Sequence, residues 1–163
     1  MDAIEFLAEQ HREVEKLFEE FEGASDGAKK TRSRLCQKIS DALAVHAAIE
    51  ERIFYPATKS ARTEDLLQEA VEEHLSAKRI IADLVLRDEI DEQAEAKMSV
   101  LKEQVEHHVE EEENELFPKA RRLLDAARLE ELGEEMERLA AELRQEGAPR
   151  MQVPDETGDA API

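Results

Sequence analysis

Apolar residues recur at alternating spacings of three and four along most of the chain, the pattern of helices with one buried face. The first such segment, about Asp2 to Glu22, carries on that face Ile4, Leu7, His11, Val14, Phe18 and Phe21. The pattern predicts further helices over about residues 29–58, 63–85 and 92–124. Pro56 and Pro118 are expected to kink or end the second and fourth helices. The sequence therefore predicts an all-α fold, an antiparallel four-helix bundle over residues 1–124.

Two segments follow the predicted bundle. A fifth helix over residues 125–146 is expected to pack on the bundle, because one side of it is apolar, through Leu129, Leu132, Met136, Leu139 and Leu143. Residues 147–163, GAPRMQVPDETGDAAPI, show no periodicity. They are expected to form a disordered, flexible tail unless an unknown partner orders them.

Charge and composition exclude several classes of partner. The formal net charge of -19 repels phosphate backbones and anionic lipid head groups, so neither nucleic acid nor a membrane is an expected partner. The N-terminus lacks the basic start and apolar run of a secretory signal, and a cytoplasmic location is expected. The single cysteine, Cys36, shares an apolar stripe with Ile39 and Leu43 and is interpreted as a packed thiol. The sequence leaves open whether the protein is a monomer or a homodimer.

Two segments of the chain repeat one motif. HAAIEERIFYP begins at His46 and HVEEEENELFP at His108, and each has a glutamate four residues after the histidine and a proline at the same offset. His11 precedes His46 by 35 residues and His74 precedes His108 by 34, which indicates two similar helical hairpins. A spacing of four places histidine and glutamate one helical turn apart on the same face.

The motif and its upstream partners predict a metal site. The candidate ligands are His11, His46, Glu50, His74, His108 and Glu112. One histidine on an apolar face is usually a core residue, but an ionised carboxylate is costly to bury unless a cation accompanies it. Mixed imidazole and carboxylate ligands suit iron or manganese better than a closed structural zinc site, and glutamates can bridge two metals. No catalytic residue beyond the metal ligands is predicted.

Neighbouring residues offer alternatives to this set. His107 and Glu111 also stand four apart, and only one of His107 and His108 can point inward. His108 is preferred because it has the same offset to the following proline as His46. His107 is then a solvated or outer residue. Four neighbouring glutamates are predicted to be solvent-facing charges: Glu51, Glu73, Glu111 and Glu113. For Glu51 and Glu73, the alternative is that they orient a ligand.

Other metal and catalytic motifs are missing. Ferritin-like bundles use Glu-x-x-His, but the residues three before the five histidines are Ala8, Leu43, Val71, Gln104 and Val105. The sequence has no HExxH motif, phosphate-binding glycine loop or nucleophile elbow. Metal ligation is therefore its strongest chemical signal.

At these positions the sequence resembles the hemerythrin-like HHE cation-binding family, through His11, HAAIEERIFYP, EEH ending at His74, and HVEEEENELFP. The later segment LEELGEEMERL resembles the one that follows the bundle in bacterial members. The resemblance implies a hemerythrin-like bundle with two non-haem iron ions, oxo- or hydroxo-bridged. It further implies a division of ligands in which one iron takes His11 and His46, the other takes His74 and His108, and the bridges are Glu50 and Glu112.

One position departs from the oxygen-carrying members of this family. They have a further histidine one turn after the ligand that corresponds to His74, where this chain has Lys78. The resemblance therefore implies an open or water-filled position at the second iron. Lys78 is expected to reach solvent at the bundle end, with a place beside a bound ligand as the alternative.

The function expected from this resemblance is a di-iron protein that binds or reacts with oxygen, hydrogen peroxide or nitric oxide in oxidative or nitrosative stress. Peroxide decomposition is its principal enzymatic form. Two other classes stay open. Iron sensing, storage or delivery without turnover requires labile iron. A metal-free interaction module would tolerate the loss of His46 or Glu112.

Overall fold

The computed structural model describes all 163 residues and contains only helices. Its α-helices are α1 Ala3–Gly23, α2 Lys29–Ile49, α3 Tyr55–Ala57, α4 Glu64–Val85, α5 Glu92–Glu111, α6 Phe117–Leu123 and α7 Ala126–Gln145. Two π-helical turns, Glu50–Phe54 and Glu112–Leu116, join α2 to α3 and α5 to α6, and a 3₁₀ helix, Pro149–Glu156, follows α7. The all-α prediction is confirmed. No helix combines the length and the apolar character that crossing a membrane requires.

Aspartates cap three of the long helices. Asp2, Asp91 and Asp125 each accept a hydrogen bond from the backbone N–H three residues later, at 2.8–2.9 Å. Such a bond satisfies one of the donors that the first helical turn leaves free. At α1 the cap is reciprocal, because the Asp2 N–H donates to the Glu5 carboxylate at 3.0 Å. These caps account for where α1, α5 and α7 begin.

Both π-helical turns begin at a glutamate of the repeated motif. The backbone N–H of Tyr55 donates to the carbonyl of Glu50, and that of Phe117 donates to Glu112. These i→i+5 bonds enclose one residue more than an α-helical turn. A proline follows each turn, and proline lacks an N–H and crowds the carbonyl four residues before it. The widened turn accommodates each proline. The first helical segment then ends at Ala57, directly after Pro56, whereas the second continues past Pro118 to Leu123.

The long helices enclose two apolar clusters with a polar layer between them. One cluster includes Leu7, Ile49, Phe54, Leu67, Val71, Leu116 and Phe117. The other includes Val14, Phe18, Ile39, Ile81, Met98 and Leu101. On α1, for example, His11 lies between Leu7 of the first cluster and Val14 of the second. The apolar clusters therefore shield the polar layer along the bundle axis.

Helix α7 packs on α1 and α2, as its apolar side predicts. Leu129, Leu132 and Met136 are buried in the first apolar cluster. Gly133 lies where α7 crosses the N-terminus, and a Cβ atom there would stand 2.3 Å from the backbone oxygen of Met1. The close approach of α7 to the N-terminus therefore requires a glycine.

Residues 147–163 lie against the bundle, so the prediction of a disordered tail is wrong. The 3₁₀ helix packs on α2 and α4 and buries Val153, which is 2% exposed. Arg150 binds Asp41 through its backbone N–H at 2.9 Å and its guanidinium at 3.0 Å. Arg79 of α4 donates to the carbonyls of Thr157 and Gly158. These contacts are isolated, so the spacing of apolar residues along the chain does not indicate them.

Candidate metal centre

The six predicted ligands come together in the polar layer between the apolar clusters. Each of the four long helical segments contributes at least one of them: His11 on α1, His46 on α2, His74 on α4, His108 on α5, and Glu50 and Glu112 at the start of the π turns. All six are buried, with exposures from 0% for Glu50 to 7% for His108. The structure therefore places the whole predicted set in one interior site.

The first half of the site is formed by His11, His46, Glu50 and Glu112, with one ligand atom of each within 4.8 Å of the others. His46 Nε2 lies 2.9 Å from Glu50 Oε1, and His11 Nε2 lies 3.3 Å from Glu112 Oε1. Despite these distances, none of the four atoms has a partner in hydrogen-bonding geometry. An unsatisfied buried polar atom costs about 1–3 kcal/mol. Ligands bound at about 2.0–2.2 Å to one cation stand roughly 3 Å apart, so these separations fit a cation between them.

The second half of the site is formed by His74, His108 and Glu50. His74 Nε2 lies 2.9 Å from Glu50 Oε2 and 3.3 Å from His108 Nε2. Glu50 thus presents Oε1 to the first half and Oε2 to the second. Glu112 Oε1 lies 3.2 Å from His108 Nε2 in addition to its contact with His11. Both glutamates therefore contact histidines of both halves of the site.

Tyr55 is a further polar group of the site and was not predicted from the sequence. Its hydroxyl lies 2.8 Å from Glu50 Oε2 and 3.0 Å from Glu112 Oε2, and 3.3–3.4 Å from Nε2 of His74 and His108. Burial and the charges of both carboxylates raise the pKa of Tyr55 well above its ordinary value, so the phenol is protonated and donates. In an α-helix, five residues after Glu50 is about 140° away from it. The extra residue of the π turn brings Tyr55 onto the same face.

A hydrogen bond holds each histidine by the ring nitrogen that faces away from the site. The pairs are His11 Nδ1 with Glu113 at 2.8 Å, His46 with Gln10 at 2.8 Å, His74 with Glu51 at 2.7 Å, and His108 with Glu73 at 2.9 Å. Such partners fix the tautomer and the ring orientation of metal-binding histidines. Glu51 and Glu73 therefore orient ligand candidates, the alternative noted above. Glu113 does not simply face solvent as predicted, and Gln10 was not predicted at all.

His107 remains outside the site, where the sequence placed it. Its side chain is 64% exposed, and its Nε2 lies 2.9 Å from Glu111 Oε1 and 3.7 Å from Glu73 Oε2. Burial and the nearby charge of Glu73 raise the pKa of Glu111. The inward histidine of this pair is His108.

The buried carboxylates and imidazoles of the site shift one another's pKa values. Burial alone would lower the pKa of His46, but the nearby charges of Glu50 and Glu112 raise it to about 9. Burial and the charge of Glu50 would raise the pKa of Glu112, but His108 and His11 lower it to about 2. When no metal is bound, protonated imidazoles therefore neutralise the buried carboxylates.

Lys78 lies buried beside the site, so the expectation that it reaches solvent at the bundle end is wrong. It is 8% exposed, and its Nζ donates to Glu51 at 2.9 Å and to Glu156 of the 3₁₀ helix at 3.3 Å. Two carboxylates compensate for the cost of burying the ammonium group. Because Glu51 also holds His74, Lys78 links the C-terminal segment to a ligand candidate.

The fold and the site together define a helical-bundle protein with a buried cation centre of imidazole and carboxylate groups. Residues 2–120 match the family model of the hemerythrin HHE cation binding domain, and the chain belongs to that family. The resemblance described above is thereby confirmed. Among solved structures, the chain is similar to a hemerythrin HHE cation binding domain-containing protein from Mycobacterium kansasii, with 25% identity and a TM-score of 0.75 over 94% of this chain and 99% of that one. No curated protein matches the sequence significantly.

Proposed function

We propose that the protein holds two non-haem iron ions in this site and binds or reacts there with oxygen, hydrogen peroxide or nitric oxide. The proposed role lies in oxidative or nitrosative stress, with peroxide decomposition as its enzymatic form. The proposed ligands are His11 and His46 for one iron, His74 and His108 for the other, and Glu50 and Glu112 as bridges. Bound iron would supply the electron transfer and Lewis acidity that this chemistry needs.

The observation that carries the proposal is the set of unpartnered buried atoms, Nε2 of His11 and His46 and Oε1 of Glu50 and Glu112. A purely structural polar layer would pair such atoms with each other, because buried polar groups are nearly always hydrogen-bonded. In this site the outward Nδ1 atoms of the histidines are paired instead, and the inward Nε2 atoms of His11 and His46 are left free. That division is typical of metal-binding histidines. Imidazoles with shared carboxylates suit iron.

One difference between the two motifs of the internal repeat distinguishes the two halves of the site. Tyr55 in the first motif corresponds to Phe117 in the second. Phe117 stacks parallel to the ring of His11, with centroids 5.8 Å apart, and so closes that half with an apolar ring. The Tyr55 hydroxyl instead lies within 3.4 Å of His74 and His108 Nε2. Its single proton can donate to one of the proposed bridging carboxylates or turn to donate to a small molecule bound in the second half.

The test is the metal content and the ultraviolet–visible spectrum of protein purified from iron-replete cells, before and after dithionite and after oxygen or peroxide. Glu112→Gln keeps the shape of the side chain but removes its charge, and Glu110→Gln is the matched control because Glu110 is exposed on the same helix. We expect about two irons per chain in the wild type and the control, and at most about one in Glu112→Gln.

Two outcomes would argue against this proposal. Wild-type protein that takes up no iron, even after anaerobic loading, would contradict the di-iron proposal. Iron that binds, passes rapidly to a chelator and does not respond to peroxide or oxygen would favour storage or delivery over reaction with these ligands.

A further inference from the structure

A small cavity lies directly beside the ligand candidates. Its volume is about 50 Å³, and its wall includes all four inward-facing histidines. A protein cavity of about 150 Å³ holds benzene, which has six non-hydrogen atoms, so this cavity has room for a molecule of about two or three. Much of the remaining wall is aliphatic, with Leu43, Ala44, Ala77 and Ile81 on α2 and α4. The charged residues of the wall, Glu73 and Lys78, are already paired with His108 and Glu51. A charged molecule would therefore lose hydration without gaining a partner.

Val153 is the only wall residue that comes from outside the four long helices. It belongs to the 3₁₀ helix, which packs on α2 and α4, and is 2% exposed. On those two helices the cavity wall includes Ala44 and Ala77, which have small side chains. The Val153 side chain completes the wall from the C-terminal segment.

Polar contacts fasten the segment on both sides of Val153. Three residues before it, Arg150 binds Asp41 of α2 through backbone and side chain. Three residues after it, Glu156 accepts a hydrogen bond from Lys78 of α4, at 3.3 Å. The valine is therefore held between two contacts with the helices that it bridges.

We propose that the C-terminal segment is the outer wall of the ligand cavity and that Val153 limits the size of the molecules that reach the centre. The substrate class is then uncharged molecules of about two or three non-hydrogen atoms, such as diatomic gases and hydrogen peroxide. Larger alkyl hydroperoxides, such as tert-butyl hydroperoxide, are excluded by size. The identity of the ligand rests on the proposed function, whereas the size limit is also a property of the metal-free protein.

The first test uses the full-length, metal-free protein and xenon, with binding followed by the NMR shifts of the cavity methyl groups. Val153→Ala enlarges the cavity and Val153→Leu fills it, so we expect xenon to bind at least about threefold more tightly and threefold more weakly, respectively. Met151→Ala is the control, because Met151 is 53% exposed on the same segment, and should bind xenon as the wild type does. Equal xenon affinity in all four proteins would overturn the proposal.

The second test uses the iron-loaded protein and compares its reaction rates with hydrogen peroxide and tert-butyl hydroperoxide. Val153→Ala should raise the rate with the larger peroxide, relative to the smaller, at least about tenfold. Glu156→Gln weakens the contact with Lys78 and should also raise the relative rate with the larger peroxide. An unchanged ratio in both variants would overturn the size limit. If the protein takes up no iron, the proposed function fails while the xenon experiment still decides the proposal.

Discussion

Protons and metal ions compete for the interior of this bundle, and the free energy of unfolding should record that competition. The pKa of His46 is raised from 6.5 to about 9 in the folded chain. A histidine with a raised pKa contributes stability that is fully present below its unfolded pKa and lost as the pH rises through its folded pKa. The metal-free protein should therefore become less stable between pH 6.5 and pH 9.

The size of this loss follows from the same values. The difference between 6.5 and about 9 corresponds to roughly 3 kcal/mol of unfolding free energy from His46 alone. Despite burial, which would lower them, the pKa values of His74 and His108 are also raised by their carboxylate partners, so their contributions have the same sign. Because domains are stable by only about 5–15 kcal/mol, the change is a large share of the total.

Bound metal should reverse this trend. Histidine binds a metal as the neutral imidazole, so metal binding releases the protons that the site otherwise holds, and the affinity rises with pH. A ligand present at 1,000 times its dissociation constant stabilises the folded state by about 4 kcal/mol. The unfolding free energy of the metal-loaded protein should therefore increase relative to that of the metal-free protein as the pH rises.

The assay is urea denaturation followed by circular dichroism from pH 6 to pH 9, in a chelator and with cobalt(II) as a redox-stable metal. His46→Gln should show a smaller loss of stability with pH, and His107→Gln, at a 64% exposed side chain, should behave as the wild type does. Metal-free wild-type protein whose stability is constant or rises over this interval would refute the reasoning.

Three further predictions concern the rest of the molecule. Tyr55→Phe removes the donor to two buried carboxylates and should lower the unfolding free energy of the metal-free protein by about 1–3 kcal/mol in urea titrations; an unchanged value would show that the hydroxyl is not needed there. Gly133→Ala should cost about 1–3 kcal/mol by the same measurement because its Cβ would meet the Met1 backbone, whereas Gly27→Ala, whose Cβ meets nothing, should not; equal effects would contradict the close packing of α7. Burial raises the pKa of Cys36 to about 11, so its labelling by a disulfide reagent at pH 8 should be at least about 100-fold slower than in unfolded chain; similar rates would argue against a packed thiol.

Helical periodicity and the internal repeat predicted the helices and placed the six ligand candidates on their inward faces. Every predicted helix agrees with the structure within one residue at each end. This works because the buried face of a long helix recurs many times, so each position is supported by its neighbours. His11, for example, is placed by five apolar residues on the same stripe.

The features that were not predicted depend on contacts without such repetition. Tyr55 lies on the wrong side of an ideal α-helix and reaches the site only through the π turn. The C-terminal segment is held by one valine and a few pairs such as Arg150 with Asp41, which are 109 residues apart in sequence. Gln10 orients His46 from another helix. Each of these depends on the tertiary structure.

The π turns also determine which changes of length the chain can accept near its centre. Removing one residue from Glu50–Phe54 would leave Tyr55 four positions after Glu50 in a regular α-helix, still on the same face, so the flanking helices would keep their buried sides. Adding one residue would instead rotate all following residues of the helix by about 100° about its axis and move Tyr55 away from the interior. The same holds for Glu112–Leu116. Shortening by one residue therefore keeps the register of the helices but removes the wide turn that accommodates the proline, whereas lengthening by one also changes the register and requires a compensating change elsewhere in the chain.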